Sequence, residues 1–278
     1  MDDGALAAAR RAVVRAALSE DRAHQDLTTH AVIPAGTEGV ASLVAREACV
    51  LAGLDAFIAV FDELGRVRVE TSHADGDMIE TGATVARVEG PLRLLLAAER
   101  TALNLIQHLS GIATHTSRFV EAAGTVEVRD TRKTTPGLRL LEKAAVIAGG
   151  GKNHRMTLAD QILIKDNHIA VAGGIVAAIE RAREYAPGAW IEVECDTLDQ
   201  VSAAVDAQAD ELLLDNMPPA MLAEAVALVG GRCKTEASGG ITLETIAEIA
   251  ATGVDAISVG AVTHSAPAID LSLEIEAL

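Results

Sequence analysis

Aromatic side chains are scarce: three Phe, one Tyr and one Trp in 278 residues. With half of the chain hydrophobic, the core must be assembled from Ala, Val, Leu and Ile. That composition suits small Ala-rich helices over a Val/Ile sheet. Positive charge is in deficit, 23 Lys and Arg against 40 Asp and Glu, for a net charge of −17. A diffuse negative field disfavours nucleic acid and anionic membranes as general partners, but leaves room for a local cluster that takes a small anion. Cysteine is rare as well. Cys49, Cys195 and Cys233 are odd in number and far apart, which argues against a disulfide framework or a zinc site and favours the reduced cytoplasm. No apolar run reaches the length of a membrane span. The opening MDDGALAAARRAVVRAAL is amphipathic and acidic near its start, unlike a signal peptide.

The pattern changes along the chain. A helix is expected over 5–18 and a loop over 21–30, followed by short strands at 39–45, 66–70 and 84–90 separated by Gly/Asp turns. Gly90-Pro91 marks the start of a long helix. On it Arg100, Asn104 and His108 share a polar face that by itself reads as solvated. From about residue 125, strand-like runs at 126–130, 161–166, 189–194, 211–215, 232–238 and 255–260 alternate with Ala-rich helices at about 171–186, 199–208, 218–229 and 243–251. The last four strand ends, Glu194, Asp215, Ser238 and Gly260, recur at intervals of 21 to 23 residues, the rhythm of βα units. Nearly continuous apolar strands indicate helix-covered sheet. Charged residues end strand after strand and no dinucleotide fingerprint follows the first, so a barrel is favoured over an open doubly wound sheet. Six strands are clear, so the barrel is incomplete or seven-stranded. The alternation of Ile269, Leu271, Leu273 and Ile275 suggests a final strand returning to the N-terminal region.

Residues 132–165 carry seven basic side chains and two acids, a local +5 in an acidic protein. Arg139 and Lys143 read as solvated helix positions. Arg132 and Lys165 follow apolar runs at strand ends, where a charge must reach the mouth, find a partner or suffer desolvation. His154-Arg155 follows a glycine run, and an arginine there can grip a carboxylate with two parallel bonds. Together they suggest a multiply charged, planar anion. Glu194 and Asp215 end consecutive βα units and fit an acid/base pair, a hard divalent cation or structural salt bridges. Asp166 is positioned to fix Lys165, and Asn167 to shape the loop. Ser238-Gly239-Gly240 precedes a helix and offers backbone N–H groups to an anion, with Gly260 at the next strand end. The chain has no Walker loop, no HExxH and no Gly-x-Ser-x-Gly elbow, and the cysteines read as packing residues.

These residues resemble the quinolinate phosphoribosyltransferase family. The resemblance rests on ERTALNLIQHLSGIAT at 99–114, DTRKTTPGLRLLEKAAV at 130–146, KNHR at 152–155, ILIKDNH at 162–168, IEVE at 191–194, LLLDN at 212–216 and EASGGI at 236–241. QDLTT at 25–29 departs from it, with Gln25 where glycine is usual. The resemblance implies an incomplete, seven-stranded α/β barrel with an N-terminal α+β open sandwich. It implies an N-terminal domain over 1–108, a catalytic barrel over 109–265 and a returning segment over 266–278. It implies a homodimer with shared active sites that takes quinolinate and phosphoribosyl pyrophosphate, with Mg2+, and forms nicotinate mononucleotide, pyrophosphate and CO2 for NAD biosynthesis. Carried over by motif, Arg132, His154, Arg155 and Lys165 are expected to bind quinolinate. Arg100 is expected to enter the site from the partner subunit. Lys133, Lys165, Glu194 and Asp215 are expected to be catalytic, the two acids also facing Mg2+, and Ser238, Gly239, Gly240 and Gly260 to hold the 5′-phosphate. A pyrophosphorylase-like paralogue with another substrate, a nicotinate phosphoribosyltransferase acting without decarboxylation and a non-catalytic scaffold are the alternatives.

Overall fold

The structure, a computed structural model, describes residues 2–65 and 67–278. Its strands are β1 (Glu38–Ala45), β2 (Cys49–Val50), β3 (Arg68–Glu70), β4 (Met78–Ile79), β5 (Thr84–Pro91), β6 (Glu127–Arg129), β7 (Ile162–Ile164), β8 (Ile191–Cys195), β9 (Glu211–Asp215), β10 (Lys234–Ser238), β11 (Ala256–Ser258) and β12 (Leu271–Ala277). Its α-helices are α1 (Asp3–Glu20), α2 (Leu27–Val32), α3 (Leu54–Leu64), α4 (Leu92–Ala123), α5 (Arg139–Ala148), α6 (Asp166–Ala172), α7 (Ile175–Tyr185), α8 (Leu198–Asp206), α9 (Pro219–Val229), α10 (Ile246–Ala250) and α11 (Ala261–His264). Two compact units emerge: Met1–Ser117 with Thr134–Gly150 and Val262–Leu278, and Arg118–Lys133 with Gly151–Ala261. Among the described residues no helix is long and apolar enough to cross a membrane.

The first unit holds an antiparallel sheet in the order β12-β1-β5-β3. The alternating C-terminal residues form β12, which pairs with β1 from Ala45↔Leu271 to Gly39↔Ala277. Its core includes Phe57 and Phe61, stacked edge to face at 5.0 Å, with Leu95 and Ile106 of α4 also buried. The expected loop at 21–30 is instead a short 3-10 turn, Ala23–Gln25, leading into α2. Asp26 caps α2 by accepting the Thr29 N–H at 2.9 Å, a local side-chain bond that outweighs the polar composition. Gln25 is not in the positive-φ region, so its backbone does not require glycine. Pro91 is the last residue of β5 rather than part of the helix. The strand expected over 66–70 is formed at Arg68–Glu70, and Arg66 lies outside the described residues.

The second unit is a six-stranded parallel sheet in the order β6-β11-β10-β9-β8-β7. A seventh position is reduced to one parallel bridge, Arg129↔Lys152, on the far side of β6. The sheet curls. Three strand steps would separate β6 from β9 by about 14 Å if it were flat, yet Arg129 Nη1 lies 2.7 Å from Glu211 Oε1. This is the curvature of an incomplete barrel. The helix expected over 171–186 is two helices, broken where Gly173 and Gly174 have φ of 89° and 129°, conformations that a helix excludes.

Candidate active site

Side chains alternate along each strand, and one set turns into the barrel. At the strand C-termini this set surrounds a cavity of about 590 Å³, lined by Arg132, Lys133, His154, Arg155, Lys165, Glu194, Asp215, Ser238, Gly239 and Gly240, with Thr131, Leu163, Leu213, Asn216, Glu236 and Ser258. Ten residues expected from the sequence therefore meet in one place. Gly260 lies two residues beyond the end of β11 and is not part of the lining. Arg100 is exposed on α4, in the first unit, and lines a different depression with residues 21–23, 25–27, 96 and 97.

Each wall is fixed by local chemistry. Asp130, fully buried just past β6, accepts the His154 N–H at 2.9 Å and so ties the KNHR loop to that strand end. Thr131 Oγ1 accepts the Lys133 N–H at 3.0 Å. Lys165 at the end of β7 donates to Glu194 of β8. Asp166, expected to hold this lysine, accepts the N–H of Asn167 instead. Both residues open α6 rather than a loop. Asn216, at φ 53°, donates its side-chain amide to Asp215 and its N–H to the Ser238 carbonyl at 2.8 Å. It thereby links the β9 and β10 ends.

The electrostatics are uneven. Arg132 and Arg155 form no salt bridge among the described residues, and the buried Arg132 Nε has no hydrogen-bond partner. Burial, then repulsion from Arg132, lowers the pKa of Arg155. Two neighbouring guanidinium groups that no carboxylate bridges can grip an anion with parallel bonds. Burial pushes the Asp215 carboxyl above its usual range, and the negative charge of Glu194 adds to this. Cys195 is buried and its thiol is pushed up to about 12 by that burial, so it is a packing residue.

Two departures from the sequence expectations concern charge. Lys143, read as solvated, is fully buried, as is its neighbour Glu142. Helix α5 packs against α1, so a helical face that the sequence leaves polar is covered. The barrel strands are also not continuously apolar. Arg129, Glu192, Glu211 and Glu236 occupy alternate, inward positions beneath the cavity. The signal for three of them was present as period-two charge inside VEVR, IEVE and KTE, while Glu211 opens the run ELLLD. Asn216 was also missed, although it is one residue beyond the Asp215 strand end.

Family models match both parts of the chain: the Quinolinate phosphoribosyl transferase N-terminal domain over residues 26–110, and its C-terminal domain over residues 112–274. The chain belongs to the quinolinate phosphoribosyltransferase family. It is 46% identical over 276 residues to the carboxylating nicotinate-nucleotide pyrophosphorylase of Mycobacterium leprae (strain TN), covering 96% of this chain and 97% of that protein. It is 41% identical to the chloroplastic enzyme of that name from Arabidopsis thaliana, covering 96% and 82%. Among solved structures it is similar to the nicotinate-nucleotide pyrophosphorylase of Francisella tularensis, with TM-score 0.93, 39% identity and 96% of each chain covered. NadC from Streptococcus pyogenes superimposes with TM-score 0.91 and 43% identity, covering 95% of each chain. As a quinolinate phosphoribosyltransferase, the chain has the expected α/β architecture, and its strand-end cavity is the natural location for the family's chemistry.

Proposed function

We propose that this chain transfers the phosphoribosyl group of phosphoribosyl pyrophosphate to quinolinate with loss of the 2-carboxylate, giving nicotinate mononucleotide, pyrophosphate and CO2 for NAD biosynthesis. The observation that carries this reading is the unpaired Arg132 and Arg155 in a strand-end cavity of a protein with net charge −17. In this reading Arg132, His154, Arg155 and Lys165 hold the two carboxylates. Lys133 and Lys165 face the phosphoribosyl substrate, and Ser238, Gly239, Gly240 and Gly260 its 5′-phosphate. Arg100 completes the site of a partner subunit in a homodimer. The division into residues 1–108, 109–265 and 266–278, and a cytoplasmic location, belong to the same reading.

The chemistry follows from placement. The cationic groups orient the ring nitrogen toward the anomeric carbon, which replaces the entropy of encounter with a fixed approach. The C–O bond to pyrophosphate breaks as the N–C bond forms. Glu194 and Asp215 stabilise the positive charge that develops on the ribosyl ring. The adjacent carboxylate leaves as CO2, the C–C bond pair stays on the ring carbon where the neighbouring positive nitrogen stabilises it, and that carbon then takes a proton. The donor set is compatible with Mg2+, because Glu194 and Asp215 offer the hard carboxylate oxygens that this ion prefers while pyrophosphate brings more. Bound there, Mg2+ would neutralise charge on the departing pyrophosphate. Glu194 also accepts from Lys165, so Asp215 is the better candidate for a direct ligand.

A product assay with quinolinate, phosphoribosyl pyrophosphate and Mg2+ tests the proposal. Formation of nicotinate mononucleotide with equimolar CO2 supports it. A folded protein that turns over nicotinate but not quinolinate, or neither, would overturn it in favour of a paralogous activity or a scaffold.

A further inference from the structure

Beneath the cavity lies a buried ionic cluster. His154 Nε2 is 3.0 Å from Glu192 Oε2 and 3.6 Å from Glu236 Oε1. Glu192 also accepts from Gln161 at 2.8 Å. Glu236 and Glu211 both accept from Arg129 Nη1, while Arg129 and Lys152 share Glu127. The side chains of Glu192 and Glu236 are fully buried, and one oxygen of each, Oε1, has no hydrogen-bond partner.

The charge does not balance. Three buried carboxylates, Glu192, Glu211 and Glu236, face one full cation from below, Arg129, leaving two negative charges before His154 and the cavity-side Arg132 and Arg155 are counted. A dry interior does not tolerate such an excess and takes up protons instead. The geometry indicates where. The Arg155 N–H donates to His154 Nδ1 at 2.7 Å, so the neutral ring carries its proton on Nε2 and turns it toward Glu192 and Glu236. A metal ion on Nε2 would force that proton onto Nδ1, directly against the Arg155 N–H. The bare Glu236 Oε1, on a residue that also lines the cavity floor, is the open place for the next proton.

We propose that Glu236 and His154 share a proton beneath the anion cavity, and that binding of the dicarboxylate draws further proton into this pair, so that quinolinate affinity is linked to pH. This rests on the proposed function and deepens it. The groups facing the pair are Glu192 of β8, Arg129 of β6 and Glu211 of β9, with Arg155 and Arg132 on the cavity side. Burial and then the charge of Glu192 push Glu236 up to about 7, against His154 and Arg129. Burial opposes charging of His154, but the hydrogen bond and charge of Glu192 outweigh it and raise its pKa. The pair therefore titrates as a unit. A bound dianion makes each added proton more favourable, and reciprocity makes the dianion bind more weakly as protons are lost. Glu236 is in this account a positioning residue that acts through His154.

The test is the pH profile of KM for quinolinate at saturating phosphoribosyl pyrophosphate and Mg2+, in the wild type and in Glu236→Gln. The wild-type KM should rise with pH above neutrality, by at most about tenfold per pH unit for one linked proton. Glu236→Gln should flatten that slope, while the KM of phosphoribosyl pyrophosphate keeps the same pH profile in both proteins. Equal slopes in the two proteins, or an equal change in both substrates' profiles, overturn the proposal. If Glu236→Gln does not fold, calorimetry of quinolinate binding to the wild type in Hepes and in Tris decides: equal heats overturn proton uptake. Absence of any turnover of quinolinate by the wild type would instead defeat the proposed function.

Discussion

Glu142 Oε1 receives His108 Nε2 at 2.9 Å while its second oxygen accepts the Thr135 N–H at 3.0 Å. Within the first unit, one buried carboxylate thus joins the long helix α4 to the TTPG turn that precedes α5. It also explains why His108, on a face that the sequence shows as polar, is not simply solvated. Glu142→Ala takes the acceptor from two donors that solvent still partly reaches, and should destabilise the protein by about 1–2 kcal/mol, the loss of two hydrogen bonds to a charged group tempered by that solvation. Glu142→Gln keeps an acceptor and should cost less. Urea denaturation of the three proteins measures the difference, and equal midpoints would remove the structural role.

Gly239 and Gly240 make a sharper comparison because they are adjacent. A Cβ on Gly239, at φ 95°, would lie 2.2 Å from Asn216 Oδ1 and 2.9 Å from the Asn216 backbone nitrogen. One on Gly240, at φ 61°, would meet nothing within 4 Å. Gly239→Ala should displace Asn216, lose about 2–3 kcal/mol of stability through strain and overpacking, and raise the KM of phosphoribosyl pyrophosphate. Gly240→Ala should cost only about 1 kcal/mol. Similar denaturation midpoints and KM values for the two variants would contradict the Asn216 contact.

Some of this architecture was legible in the chain and some was not, for physical reasons. Arg132, Lys165, Glu194 and Asp215 each follow an apolar run, and strand ends in a barrel converge on one mouth, so their meeting in one cavity could be read locally. The α6–α7 break was written in Gly173-Gly174 but hidden within an otherwise helical composition. Lys143 could not be placed, because its burial depends on the surfaces packed around α5. The Arg129–Glu236 contact joins residues 107 apart in sequence. The strand order β6-β11-β10 brings them together, and no local pattern encodes that order.

The interior cluster also affects stability. Glu236 is shifted from 4.5 to about 7, first by burial and then by Glu192. The folded protein therefore holds this proton more tightly than the unfolded chain. The associated stability is fully present below 4.5 and is lost as pH rises through 7. Glu236→Gln cannot lose a proton, so its melting temperature should fall less over that window than that of the wild type. Thermal melts across the window check this, and parallel curves would show that Glu236 does not titrate there.

Arg100 poses a different question, since it is exposed on α4 and lines no part of the strand-end cavity. If it serves the partner's site in a homodimer, two inactive proteins can complement each other. In a mixed dimer of Arg100→Ala and Lys165→Ala subunits, the Arg100→Ala chain keeps its own Lys165 and borrows an intact Arg100, so one site of the two is whole. Random exchange makes half of the dimers mixed, so activity should return to roughly a quarter of the wild-type level. Differently tagged subunits, refolded together and isolated as the doubly tagged species, establish that mixing occurred. No recovery in that species would place Arg100 outside the shared site, because a residue acting within its own subunit cannot be supplied by the partner.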